Sequence, residues 1–288
     1  MKKILITGAT GNLGTAVINQ LLKSTDDIHI VALARNENKA EYLRAKGVEV
    51  RIGSFDEPAS LDKALQGIDK ILLISTGDPN RFLQHKNVVD AAKKAEVKFI
   101  AYTSVPLKDL NTSAAKFLLE SHFQTEDYIK VSGLAYTFLR NNIYADMIPM
   151  YVGEKVFETG IYLPAGNGKV PFALRREMGE ATANLLLQSE QHQNKTYDIT
   201  NTELYSFEDV AKVLSELSGK EITYTDADVD EFTEILKTKN LPEHVVSIFN
   251  AFVTDFKNHQ YEKATDDLER LLGRKPATLK EALKEIYI

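Results

Sequence analysis

Short apolar runs alternate with amphipathic stretches through the first half of the chain. The runs at 3–7 (KILIT), 28–33 (IHIVAL), 48–52 (VEVRI), 70–75 (KILLIS), 97–104 (VKFIAYTS) and 135–140 (AYTFLR) are nearly continuous in apolar character and rich in β-branched and aromatic residues. That pattern predicts strands of a sheet covered on both faces, because neither side of such a strand suits water. Between the runs lie helical stretches. The segment 12–24, for example, has apolar residues at 13, 17, 18, 21 and 22, which fall on one helix face. Strand–helix alternation of this length predicts a parallel, doubly wound α/β sheet of Rossmann type.

The pattern changes after Asn141. Residues 146–177 include GIYLPAGNGKVPF, rich in Gly and Pro, and read as loop-dominated. A helix near 178–190 and a strand at 195–200 (KTYDIT) are expected to return to the sheet. From Phe207 onward the chain reads as mostly helical, with one short strand at 221–225 (EITYT). The expected organisation is a nucleotide-binding domain of residues 1–145 with 178–202 returning to it, and a smaller, mostly helical lobe of 146–177 and 203–288.

Composition narrows the classes. The chain has 288 residues, is 43% hydrophobic and 26% charged, and can bury a full core. A net charge of -6 argues against a nucleic-acid surface. There is no cysteine, which excludes disulfides, thiolate nucleophiles and cysteine metal sites and fits a cytoplasmic protein. The apolar run near the start is broken at Thr7 and Gly8, too short for a secretory signal. No stretch approaches the roughly 20 apolar residues of a membrane span. The expectation is a soluble protein without a membrane partner.

Chemistry enters first at ITGATGNLG. Gly8, Gly11 and Gly14 form G-x-x-G-x-x-G after a predicted strand and at the start of a predicted helix. Glycines there allow a tight turn and close backbone approach, and the helix N-terminus attracts a pyrophosphate. The second strand ends ALARN. Folds that choose NAD place an acid near this point for the ribose 2′-hydroxyl. Here Arg35 stands instead, 21 residues after Gly14, and a guanidinium suits a 2′-phosphate. Asn12 could assist from the loop. NADP(H) is the expected cofactor.

The stretches ITGATGNLG, ALARN, LLIS, HKNVVDAAKKAEVKFIAYTS and YTFLRNNIYADM together resemble the NmrA-like group of atypical short-chain dehydrogenases. Within it they are most similar to the bacterial NADPH:quinone oxidoreductases and the triphenylmethane reductases. The resemblance runs nearly end to end, through AGNGK, SELSGKEITY and DDLERLLGRKPATLKEAL. By position it implies that Gly8, Thr10, Gly11, Asn12, Leu13 and Gly14 hold the pyrophosphate and Arg35 the 2′-phosphate. It implies that Ser75, Thr76 and Gly77 pass near the ribose, and that Tyr102, Thr103 and Ser104 lie beside the nicotinamide ribose. Asn141, Asn142, Ile143 and Tyr144 would border the nicotinamide and substrate. One departure is visible. Many relatives carry Gly-Asp at the end of the third strand, where the acid lies near the adenine. This chain has Gly53-Ser54, so the resemblance supplies no acid at that position.

Short-chain dehydrogenases usually carry Tyr-x-x-x-Lys on the helix after the fifth strand, where the Tyr exchanges a proton with the substrate oxygen. That helix here reads SAAKFLLESHFQTEDYIKVSG and has no such pair. Family spacing puts His122 in the Lys slot and Leu118 in the Tyr slot. His122 and Glu126 stand at i and i+4 and are expected to share a helix face. With no third ligand and no H-E-x-x-H, no metal site is expected. Tyr42 and Lys46 (YLRAK) match the spacing on the helix after the second strand, away from the nicotinamide end. Tyr151 and Lys155 (YVGEK) match it after the sixth strand.

A missing Tyr does not exclude hydride transfer. An alcohol–ketone reaction needs a positioned acid, because an alkoxide is a poor product at neutral pH. A quinone spreads the incoming charge over its ring, and a cationic dye carbon needs no proton. The expected function is therefore NADPH-dependent reduction of a quinone or similar planar electrophile. His122, Tyr102 and Asn142 would shape the reacting end, and Tyr144 and Tyr151 would form stacking walls. Two alternatives stay open: an NADP-binding redox sensor without turnover, and, less favoured, a nucleotide-sugar epimerase, which needs the absent pair. Oligomeric state is open, with a homodimer compatible with the exposed helix faces.

Overall fold

The computed structural model describes residues 2–24, 27–239 and 241–288. In chain order its first elements are β1 (Lys2–Ile6), α1 (Asn12–Leu21), β2 (Ile28–Ala34), α2 (Glu41–Ala45), β3 (Glu49–Ile52), α3 (Pro58–Ala64), β4 (Lys70–Leu73), α4 (Arg81–Lys94), β5 (Phe99–Ser104), α5 (Lys116–Ser132) and β6 (Ala135–Asn141). There follow α6 (Ile148–Val152), α7 (Val156–Thr159), β7 (Ile161–Leu163), α8 (Arg175–Leu187), β8 (Lys195–Ile199) and α9 (Phe207–Ser218). The chain ends with β9 (Tyr224–Asp226), α10 (Val229–Thr238), α11 (Glu243–Lys257), α12 (Asp267–Leu272) and α13 (Leu279–Tyr287).

A seven-stranded sheet has the order β3-β2-β1-β4-β5-β6-β8, and the pairings from β3 across to β6 are parallel. The order reverses between β1 and β4, the point at which open α/β sheets offer a crevice at their strand ends. Both faces are covered. Leu5, Val31, Ile71, Ile100 and Phe138 pack against Leu61 of α3, Val88 of α4 and Ile129 of α5. The alternate residues Ile4 and Ile6 are equally buried. Helices α1 and α8 meet so closely that a Cβ on Gly179 would lie 2.5 Å from the Ala16 Cβ.

The chain forms two compact units: Met1–Val105, Ser121–Arg140 and Arg175–Tyr197 in the first, and Pro106–Glu120, Asn141–Leu174 and Asp198–Ile288 in the second. The boundaries differ from the expected ones, and the reasons are long-range hydrogen bonds. Residues 106–120 join the second unit because the buried Asp255 carboxylate accepts from the Ser113 hydroxyl and from the N–H groups of Ala114 and Ala115. The Gln260 carbonyl accepts from Lys108 N–H in the same unit. Residues 198–202 are held there too, with Asn201 Nδ2 donating to the carbonyls of Phe172 and Ala277. The stretch 146–177 is not mostly loop: it contains α6, α7 and β7, and β7 pairs in parallel with β9. The expected strand at 221–225 begins only at Tyr224, because Ser215 takes the N–H of Ile222 with its hydroxyl oxygen at 2.8 Å.

Candidate functional site: the strand ends of the first unit

Three strand ends are tied together by threonines. Strand β4 stops at Leu73, earlier than expected, because the next two N–H groups turn to side chains. Ile74 N donates to Thr7 Oγ1 at 2.8 Å, and Ser75 N donates to Thr103 Oγ1 at 2.9 Å. The Thr103 hydroxyl passes its own proton toward Ser75 Oγ at 3.3 Å. These bonds hold the ends of β1, β4 and β5 in one fixed arrangement.

The glycine loop lies on this arrangement. Gly8 has φ +57°, a left-handed conformation that favours glycine. Gly14 has an ordinary φ but no room: a Cβ there would lie 2.3 Å from the Gly8 carbonyl oxygen and 2.8 Å from Ala9 Cα. Helix α1 then starts with no side-chain cap and no acid in its first turn. Its first N–H groups are left for an anion, with the helix dipole in favour.

A cavity of about 150 Å³ opens beside the loop, lined by Gly8, Thr10, Arg35, Phe55, Ser75 and Thr76 among others. Arg35 is exposed, and no ion pair or hydrogen bond among the described residues engages its guanidinium. At the β5 end, Ser104 Oγ is buried without a hydrogen-bond partner. An uncapped helix start, a cradle that a Cβ at Gly14 would block, a free guanidinium and an orphan hydroxyl fit a phosphorylated dinucleotide.

Not every expected cofactor residue lies on this cavity. Asn12 lines a separate depression with Asn19, Lys23 and Arg176. Leu13 is buried and Gly77 exposed. Thr103 is occupied as a brace, and Asn141 belongs to the second unit, with Oδ1 unpartnered and Nδ2 donating to the Tyr144 hydroxyl.

Beneath the strand ends, Tyr102 Oη and His122 Nδ1 are 2.9 Å apart. Both side chains are buried. Burial pushes the Tyr102 phenol up, against the pull of the Thr125 hydroxyl and the Arg81 charge. Burial, then the charge of Arg81, pushes the His122 imidazole well below its ordinary value. Both groups are therefore neutral at physiological pH. Arg81 donates to the Thr76 carbonyl and to Ser121 Oγ. His122 does not pair with Glu126 as its spacing suggested. The Glu126 carboxylate takes a two-point bond from Arg140, at 2.9 and 2.6 Å. A strand guanidinium outcompetes the imidazole because its fork matches both carboxylate oxygens.

Sequence reasoning missed His85, fully buried and edge-on to Tyr102 with ring centroids 5.3 Å apart. Its Nδ1 lies 3.1 Å from Thr125 Oγ1, whose proton goes to the Ser121 carbonyl, so Nδ1 carries the hydrogen. Reasoning from sequence also missed Phe55, Asp56 and Gln84 on the cavity wall. Their one signal was the acid in GSFDE, two residues beyond the family position.

The remaining candidates sit in the second unit. The Asn142 amide is engaged at both ends, Nδ2 donating to the Tyr261 carbonyl and Oδ1 accepting from Ile143 N. Tyr151 is wedged among Phe207, Phe249 and Phe256 at 5.1–6.0 Å, and lines a cavity of about 950 Å³ with Phe232, Leu236 and Lys155. Tyr42 of the first chance pair bonds Thr15. Among the described residues no cluster of three or more His, Cys, Asp or Glu could hold a metal, and no helix is long and apolar enough to cross a membrane.

Sheet order, glycine loop and crevice define a Rossmann-type dinucleotide-binding protein. The chain belongs to the NmrA-like family, whose profile matches residues 1–286. It is 34% identical over 287 residues to quinone oxidoreductase 2 of Escherichia coli, covering 99% of this chain and 98% of that protein. It is 28% identical to an NAD(P)H azoreductase of Xenophilus azovorans, covering 98% and 96%. A Citrobacter triphenylmethane reductase solved with NADP(H) superposes with a TM-score of 0.90 at 37% identity, covering 98% and 99%.

Proposed function

We propose that the protein uses NADPH to reduce quinones or similarly flat electrophiles. It is an NADPH-dependent oxidoreductase of the NmrA-like family, supported by relatives that are quinone oxidoreductase and azoreductase and by neighbours solved with NADP(H) or NADPH. Bound NADPH supplies a hydride from its nicotinamide. The chain's own part is to bind, orient and stay dry. Gly8, Thr10, Gly11, Leu13 and Gly14 present backbone to the pyrophosphate, with Asn12 at the helix start. Arg35 takes the 2′-phosphate. Ser75, Thr76 and Gly77 follow the ribose, with Thr103 bracing them. Ser104 Oγ and Asn141 Oδ1 are buried without a hydrogen-bond partner, which supports assigning both residues to the cofactor. Tyr144 and Tyr151 serve as aromatic walls for the acceptor.

The observation that carries the acceptor class is the Tyr102–His122 pair. The two titratable residues proposed to shape the reacting end are buried, bonded to each other and held neutral. They act as fixed dipoles that orient the site, with Asn142 bracing the second unit. None offers a titrating proton near pH 7, so the acceptor must tolerate hydride without one. Flat, charge-delocalising electrophiles do; simple ketones do not. The absence of cysteine accords with a cytoplasmic site of action.

The test is loss of reduced-nicotinamide absorbance with NADPH and NADH in parallel, against quinones, a triphenylmethane dye and an aliphatic ketone. Turnover is expected on the flat acceptors with NADPH and not on the ketone. Efficient ketone reduction would overturn the acceptor class. Tight NADPH binding with no turnover on any acceptor would favour the sensor.

A further inference from the structure

The cavity beside Arg35 has a polar far wall that the glycine loop and the 2′-phosphate contact do not use. It is built by Asp56 and Gln84, with Phe55 and Gly53 beside them. Ser54, at the position where relatives place an acid, is absent from the lining. Its side chain is turned to its own loop, accepting from Asp56 N at 3.3 Å, while its N–H goes to Ser60 Oγ.

The wall is polarised in one direction. Thr76 Oγ1 donates to Gln84 Oε1 at 3.0 Å, and Gln84 Nε2 donates to Asp56 Oδ1 at 3.0 Å. A carboxylate only accepts, so the Gln84 amino group must face Asp56 and its oxygen must face Thr76. Gln84 is buried, which fixes this arrangement, whereas Asp56 is exposed at the cavity edge. Among the described residues Asp56 takes no ion pair, and with Oδ1 bonded to Gln84 its second oxygen, Oδ2, is unclaimed. The far wall of a pocket that holds an adenosine 2′-phosphate thus presents an acceptor and a flanking aromatic ring.

We infer that Asp56, oriented by Gln84, is the residue that selects adenine by accepting from its exocyclic amino group, in place of the acid missing at Ser54. Phe55 lies on the same wall and offers its ring to the base. This rests on the NADPH reading above. The carboxylate rejects a base with an oxygen at that position, because two acceptors would face each other without a proton.

The test is equilibrium binding, by fluorescence or calorimetry, of NADPH and its hypoxanthine analogue, in which an exocyclic carbonyl oxygen replaces the amino group. The intact protein is expected to bind NADPH at least about tenfold more tightly than the analogue, the scale of one hydrogen bond to a charged group. Asp56→Asn is expected to reverse the preference: Gln84 still claims the amide oxygen, so the new amino group faces the base. Asp56→Ala is expected to bind both ligands alike. Asp56 sits on an exposed turn, so neither change threatens the fold. Equal binding of the two ligands by the intact protein would overturn the inference and leave the NADPH reading standing, and so would an Asp56→Asn protein that keeps the original preference. No binding of NADPH at all would overturn both.

Discussion

Tyr102 and His122 share one hydrogen bond, 2.9 Å from Oη to Nδ1, with the phenol fully buried and the imidazole 5% exposed. Each is the other's partner in a place where water does not compete. Removing one leaves a buried polar atom unsatisfied, which costs about 1–3 kcal/mol. Tyr102→Phe is therefore expected to destabilise the protein by about that amount. Adding His122→Leu to it should cost less than the two single losses combined, by about 0.5–3 kcal/mol. Denaturant unfolding of the four proteins in this cycle measures the difference. Strict additivity would show that the bond contributes nothing.

The two buried histidines make stability depend on pH. Burial and the charge of Arg81 hold His85 at about 3 and His122 well below 6.5. In the unfolded chain both titrate near 6.5. Below that pH the unfolded state binds more protons, so stability present above about 6.5 falls as pH drops. The slope is up to about 1.4 kcal/mol per pH unit for each histidine. It persists until the folded group takes its own proton, near 3 for His85. Urea unfolding at neutral and mildly acidic pH should show this slope, and His85→Leu should make it shallower. Equal slopes would contradict the account.

Two glycines assigned to the cofactor site offer a contrast. Gly14→Ala places a Cβ 2.3 Å from a backbone oxygen that cannot move aside, whereas Gly77→Ala meets nothing within 4 Å. The first change should weaken NADPH binding at least about tenfold, because displaced backbone no longer presents its N–H groups to the pyrophosphate. The second should leave binding within about twofold, because Gly77 would follow the ribose with its backbone and an added Cβ touches no neighbour. Titration with NADPH separates them.

Much of the fold was legible because its causes are local. Near-continuous apolar runs gave strands of the large sheet, and the glycine spacing and Arg35 pointed to NADP(H), with which similar proteins are solved. What stayed hidden depends on distant partners. Nothing near Ser113 announces that Asp255 will claim the next two N–H groups. Nothing near Ile222 announces that Ser215 will end its pairing. His122 was a candidate for the right helix and the wrong partner: i,i+4 spacing pointed to Glu126, while Arg140 on a neighbouring strand took that carboxylate. Gln84 and Asp56 meet only when α4 is laid beside the end of β3.

Arg35 should decide between cofactors. Arg35→Glu places a negative charge at the cavity rim proposed for the 2′-phosphate. NADPH affinity is expected to fall by about tenfold to a hundredfold, the scale of losing a charge-assisted bond and gaining repulsion, with NADH changed far less. Parallel binding curves check it. An equal loss of both cofactors would show that Arg35 serves the fold instead.

The central claim is that reduction proceeds without a titrating acid from the Tyr102–His122 pair. Its most direct test is the pH dependence of kcat with NADPH and a small quinone, from about pH 6 to pH 9, the span between the ordinary histidine and tyrosine values. The account predicts a profile with no ionisation step in that range, unchanged in shape by His122→Leu. A limb with a midpoint near 6.5 that disappears in His122→Leu would make His122 a proton donor and contradict it.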